Sequence, residues 1–99
     1  MTRPAATATV MVDNERVRVT EWRFAPGAAT GWHVHEMDYV IVPVLGQPMD
    51  LVDGDGGTRR VEMVPGQSYF REAGVAHDVI NAGDGELVFV ETELKVPAR

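Results

Sequence analysis

The sequence predicts an all-β single domain, on three observations. Turn signals recur at short intervals, the runs between them are rich in Val, Ile, Tyr, Phe and Thr, and no segment carries helix caps at both ends. The turns fall at Asp13-Asn14, Pro26-Gly27, Leu45 to Pro48, Asp53 to Gly57, Pro65-Gly66, Ala73-Gly74 and Ala82 to Gly85. A chain of 99 residues holds one core but not a second domain of ordinary size.

Taken in order, the runs predict strands near residues 8–12, 16–25, 30–35, 38–45, 49–53, 58–63, 67–71, 77–81 and 87–95. In the second, Val17, Val19, Glu21 and Arg23 alternate with Arg18, Thr20, Trp22 and Phe24, so the apolar parity switches partway. A bulge or an exchange of faces is expected there. The fourth, Val40 to Leu45, is apolar at every position, as for a strand covered on both sides, and its Pro43 argues for an edge or a bulge. The last begins apolar at Leu87 and ends mixed at Leu94. Trp22, Phe24, Trp32 and Phe89 are expected to pack the barrel or an interface, and the two ends, Met1–Ala6 and Pro97–Arg99, to fray.

Composition narrows the function. With 44% hydrophobic and 24% charged residues the chain is globular, and no apolar run approaches the length of a membrane span. The net charge of −6 with scattered basic residues gives no phosphate-backbone footprint, so nucleic acid is not an expected partner. There is no cysteine, which excludes disulfides and thiolate metal sites and leaves imidazole, carboxylate and phenolate as ligands. No apolar h-region follows the start, so a cytoplasmic location is expected by elimination.

Two of the three histidines, His33 and His35, lie one residue apart, and in a strand i and i+2 share a face. That spacing suits a metal. His77 follows a glycine-bearing turn, and a sheet that curls brings all three rings together with part of a coordination sphere open. Three neutral imidazoles suit Zn, Fe, Cu or Ni, whereas Mg and Ca prefer oxygen. His-x-His by itself is equally compatible with ordinary turn or core histidines.

Two wider patterns give the spacing context. Gly27, five residues, His33-Val34-His35, three residues, Tyr39, six residues and Gly46 form the first. Gly66, five residues, Glu72-Ala73-Gly74, two residues, His77, three residues and Asn81 form the second. The chain resembles the cupin family through these two signatures, with tyrosine at the position of the family's glutamate and Glu72 at that of its proline. The runs Glu21 to Gly27, Thr30 to His33 and Asp38 to Pro43 are similar to a bacterial subgroup associated with beta-alanine degradation. The resemblance implies a cupin-type jelly-roll β-barrel. It also implies His33, His35 and His77 as ligands of one divalent transition metal (Fe, Zn, Ni, Mn or Cu), and a homodimer.

Tyr39 shares strand parity with His33, His35, Met37 and Ile41 and is expected to face the same cavity, either with a catalytic part in the site or as core filling. Without the family carboxylate a 2+ ion keeps its full charge and favours an anionic, chelating substrate or hydroxide. Glu36 and Asp38 have the opposite parity, with Asp38 the reserve carboxylate if a bulge re-aims it. Gln67, Tyr69 and Arg71 either line the cavity or lie on a solvated or dimer-facing strand. Gly74 is expected to take a positive φ or allow a close backbone approach, Gly27 and Gly46 to make turns, and Asn81 to satisfy backbone groups.

The expected function is a metal-dependent cupin acting on a small polar or carboxylate-bearing metabolite, as a dioxygenase with iron or as a lyase, hydrolase or isomerase with zinc. A non-catalytic sensor or storage barrel is the alternative. It is kept open because no general base stands out in the sequence.

Overall fold

A computed structural model describes residues 3–95. Among them are nine strands: β1 (Thr7–Asp13), β2 (Val17–Phe24), β3 (His33–Val34), β4 (Asp38–Leu45), β5 (Pro48–Val52), β6 (Thr58–Glu62), β7 (Tyr69–Arg71), β8 (Ala76–Asn81) and β9 (Leu87–Leu94). Each predicted run overlaps one of them. The predicted third and seventh runs shrink to two and three residues, and the expected fraying of Pro97–Arg99 lies outside the described residues.

The strands form a five-stranded sheet in the order β1-β2-β9-β4-β7 and a four-stranded sheet in the order β3-β8-β5-β6. Every strand pairing is antiparallel, and several join strands far apart in sequence, such as β2 with β9 and β3 with β8. That is the all-β, jelly-roll type of wrapping expected from the sequence. The two sheets close over one apolar core. Phe24, Tyr39, Ile41, Leu87 and Phe89 come from the larger sheet and Met49, Leu51 and Val79 from the smaller.

Strand β2 corrects one expectation. It runs against β9 without a break from Val17↔Leu94 to Phe24↔Leu87, and its faces are not exchanged. The irregularity lies in β1, between Val10 and Val12, opposite Thr20 and Val19. The parity switch has another cause: Arg18 and Thr20 stand on the inward face with Trp22 and Phe24 because part of the interior is a polar cavity. In strand β4 the outward Val42 and Val44 are 37% and 48% exposed, so among the described residues no second layer covers that face. The bulge expected at Pro43 is present, between Pro43 and Leu45 against β9. Trp32 is also exposed, lying beside Gly54 and outside the barrel core.

The turn chemistry positions the interior. Gly46 sits against the Met63 carbonyl, so that a methyl group there would collide with it. Gly74 takes a φ of 100°, a region in which side-chain-bearing residues are strained. Buried Asn81 donates from Nδ2 to the carbonyls of Phe24 (3.2 Å), Ala25 (3.3 Å) and Gly85 (2.8 Å) and accepts from the Gly83 N–H at 3.0 Å. It joins the ends of β2 and β8 to the turn before β9, the structural part expected of it.

Candidate metal centre and cavity

The short strand β3 pairs with β8 so that His33 lies directly opposite His77. His35 falls just beyond β3 and is clasped by the turn that precedes β8: its N–H donates to the Val75 carbonyl, and its carbonyl accepts from the Gly74 N–H, both at 2.8 Å. The positive φ of Gly74 makes this turn possible, which ties the second signature to the first in space. The three rings converge as the spacing predicts. His35 Nε2 lies 3.1 Å from His33 Nε2 and 3.2 Å from His77 Nε2.

Those separations fit a coordination sphere. With metal–nitrogen bonds of about 2.1 Å, two ligand nitrogens lie about 3.0 Å apart at a right angle and about 3.4 Å apart at the tetrahedral angle. The observed pairs fall between the two, so the rings occupy one face of a polyhedron and leave the other side to a ligand. The His33 Nδ1–H donates to the Gly31 carbonyl at 2.9 Å, which leaves the Nε2 lone pair facing the junction. Burial, and secondarily the neighbouring His33, push the pKa of His35 and of His77 down to about 4, so both rings are neutral near pH 7 and ready to donate. The residues present therefore fit a divalent transition metal.

Behind His35 stands Tyr39, buried, its ring stacked on the imidazole with centroids 3.9 Å apart. Burial raises its pKa, with neighbouring Tyr69 adding to the shift, so the phenol is held protonated by its surroundings. Asp38 is not the reserve carboxylate. Its Oδ1 accepts from the Ala73 N–H at 2.7 Å and caps the turn, so no bulge re-aims it. Glu36 is exposed at the rim of the cavity. Of Gln67, Tyr69 and Arg71, Tyr69 alone lines the main cavity, with the Arg71 guanidinium 4.6 Å above its ring.

The junction opens into a cavity of about 350 Å³ between the sheets. Its far wall holds charges the sequence reading missed. Buried Glu91 and Glu93 point inward from β9, and Arg18 and Trp22 from β2. Arg18 Nε donates to Glu93 Oε1 at 2.7 Å, and Trp22 Nε1 donates to Glu91 Oε1 at 3.3 Å. Glu91 Oε2 lies 3.8 Å from His35 Nδ1. Burial, then the adjacent Glu93, push the pKa of Glu91 up to about 7, with the Trp22 N–H acting against them. Glu91 is thus a carboxyl group poised to hold or release a proton near neutral pH. The signal for it was present: Leu87, Phe89, Glu91 and Glu93 share one parity, so the apolar inward face of β9 ends in two carboxylates.

The fold, the two histidine-bearing segments and the interior cavity define a small β-barrel protein of the cupin kind. The sequence profile of the Cupin domain family matches residues 20–93, and the chain belongs to that family. Over 93 residues it is 57% identical to the beta-alanine degradation protein BauB of Pseudomonas aeruginosa, with 94% of this chain and 97% of that protein covered. The crystal structure of a cupin domain protein from Bordetella pertussis Tohama I superposes with a TM-score of 0.92 at 53% identity, covering 97% of this chain and 99% of the other. The polyketide cyclase RemF of Streptomyces resistomycificus superposes with a TM-score of 0.71 at 26% identity, covering 97% of this chain and 71% of the cyclase.

Proposed function

We propose that this chain is a single-domain metalloprotein that holds one divalent transition metal on His33, His35 and His77 and acts on a small, polar, carboxylate-bearing metabolite. The convergence of three neutral Nε2 donors at 3.1 and 3.2 Å carries this reading. The metal, when bound, supplies Lewis acidity or, as iron, a site for oxygen chemistry. The chain's own residues do the rest. The Gly31 carbonyl fixes the tautomer of His33, Tyr39 backs His35 as a neutral phenol inside the cavity, and Glu91 takes or gives a proton at the far wall. Glu91 offers the general base that the sequence did not show, which supports the catalytic reading, and binding without turnover would favour a non-catalytic barrel. The relative named for beta-alanine degradation supports a metabolite of that size and charge, and the cytoplasm is the place this reading expects for the chain. Elemental analysis of purified protein after incubation with Fe, Zn, Ni, Mn or Cu is expected to find one ion per chain, lost in His77→Ala. A wild-type chain that takes up none of them refutes the reading, and oxygen uptake on turnover separates the iron chemistry from the zinc chemistry.

The partner in this reading is a second copy of the chain. Val42, Val44 and Phe70 stand exposed on the outer face of the five-stranded sheet, and an apolar sheet face of this kind is matched by itself across a two-fold axis. Light scattering is expected to give a dimer, and Val42→Lys a monomer with unchanged metal content.

A further inference from the structure

The charges on the far wall do not balance among themselves. Glu93 is already met by the Arg18 guanidinium, whereas Glu91 makes no ion pair with lysine or arginine among the described residues. The Trp22 indole N–H occupies one oxygen of Glu91, and the other faces the Nδ1 side of His35. Across the cavity, three neutral imidazoles leave a 2+ ion its full charge and call for an anionic ligand group. A ligand ammonium group gives Glu91 Oε2 the charged donor that no lysine or arginine among the described residues supplies.

We propose that Glu91 is the ammonium acceptor of the cavity and that the ligand is a short zwitterion. Its anionic end reaches the three-histidine centre, and its ammonium group lies against Glu91 Oε2 beside Trp22. The inference rests on the metal reading above and narrows it to one substrate class. The length of the ligand follows from the same geometry. Glu91 meets His35 at Nδ1 while the junction is at Nε2, so the two anchors are separated by one imidazole ring and a coordination bond of about 2.1 Å. That span suits amino and carboxyl groups joined through a few carbon atoms. A cavity of about 350 Å³ is of matching size, near the lower end of small-molecule sites.

The test uses the full chain loaded with Zn(II) and calorimetric titration with unbranched ω-amino acids of two to five carbons, each paired with the alkanoate of the same length. At the best length the amino acid is expected to bind about 10- to 100-fold tighter than its alkanoate, the range for a hydrogen bond to a charged group. Glu91→Gln is expected to reduce that ratio to near one without changing alkanoate affinity, and Glu36→Gln to leave it intact. Equal affinities for the two series in the wild-type protein, which need no variant, overturn the ammonium subsite and leave the metal reading standing. Alkanoate binding that is the same without Zn(II) overturns the metal reading and the subsite with it. Uptake of a second Zn(II) at Glu91, Glu93 and His35 that is not displaced by the amino acids also overturns the subsite.

Discussion

Replacing Glu91 by glutamine isolates the cost of holding a carboxyl group in this cavity. Glutamine keeps the shape and the oxygen that accepts from Trp22 Nε1, and it removes only the ionisation. In the folded protein the group titrates at about 7 instead of 4.5, so the folded state binds the proton more tightly than the unfolded chain does. Stability drawn from this group is therefore full below pH 4.5 and is lost as pH rises toward 7 and beyond. A rise of this size corresponds to roughly 3 to 3.5 kcal/mol at about 1.4 kcal/mol per unit, reached only where the carboxylate is ionised in both states. At pH 8 the metal-free Glu91→Gln variant should be more stable than wild type by about that amount, an increase in Tm of about 15 to 25 °C for a chain of this length. At pH 4.5 the gain should vanish. His35 and His77 act in the opposite direction, because their lowered pKa values favour the folded state above pH 6.5 and lose that effect as pH falls toward 4. Both are neutral at pH 8 in either protein and drop out of the difference there; His35, 3.8 Å from Glu91, couples to it only as pH falls toward 4. Thermal denaturation of chelator-treated protein from pH 4.5 to 8.5 measures it. A difference in Tm that is flat with pH, or a variant less stable than wild type at pH 8, refutes the placement of Glu91 in a cavity wall.

Three further outcomes follow from the same geometry. Asn81→Ala strips donors from three main-chain carbonyls and should cost about 3 kcal/mol, read as a lower urea midpoint with unchanged slope; a loss under about 1 kcal/mol would mean water replaces the amide. Because His35 and His77 resist protonation down to about pH 4, Zn(II) should stay bound at pH 5.5, where a ligand set with ordinary imidazoles of pKa near 6.5 is mostly protonated; dialysis with zinc analysis checks this. Tyr39→Phe keeps the ring stacked on His35 and should keep the metal affinity, whereas Tyr39→Ala should lose about tenfold or more; a drop in turnover confined to Tyr39→Phe would show that the hydroxyl acts on the substrate.

What the sequence made legible depends on whether a residue's surroundings were local. His33 and His35 share a face through strand geometry alone, and the Gly74 turn declares itself before His77, so the three-ring centre could be read from spacing. The parity of Tyr39 was readable for the same reason. Arg18, Glu91 and Glu93 were not, because a charged residue on an inward strand position looks the same as one on a solvated face until the opposite wall is known. The parity switch in β2 reads from the sequence as a bulge or an exchange of faces, the usual causes. The structure gives another: the strand runs straight, and its inward face passes from core at Phe24 to cavity at Arg18. Of the barrel and interface places expected for Trp32, the structure excludes the barrel, because the ring lies exposed beside Gly54.

The two walls of the cavity are built by different means, and this separates their tasks. The metal-facing wall is held by main-chain bonds: the clasp between His35 and the Gly74-Val75 turn, the pairing of His33 with His77, and the Gly31 carbonyl on His33. Changing a side chain there moves the backbone or removes a ligand. The charged wall hangs on side-chain contacts alone, Arg18 with Glu93 and Trp22 with Glu91, projecting from strands whose register is fixed by the ladder between β2 and β9. Substitutions at positions 18, 91 and 93 therefore alter the charge offered to a ligand while the ladder and the three rings stay in place. Their effects and those of changes on the metal-facing wall should add, except where Glu91, at 3.8 Å, and Glu93, within 4.8 Å, approach His35. The Glu91 contact is the shorter route by which the charge state of the ligand wall reaches the three rings, and a double-mutant cycle on Glu91 and His35 measures how strongly.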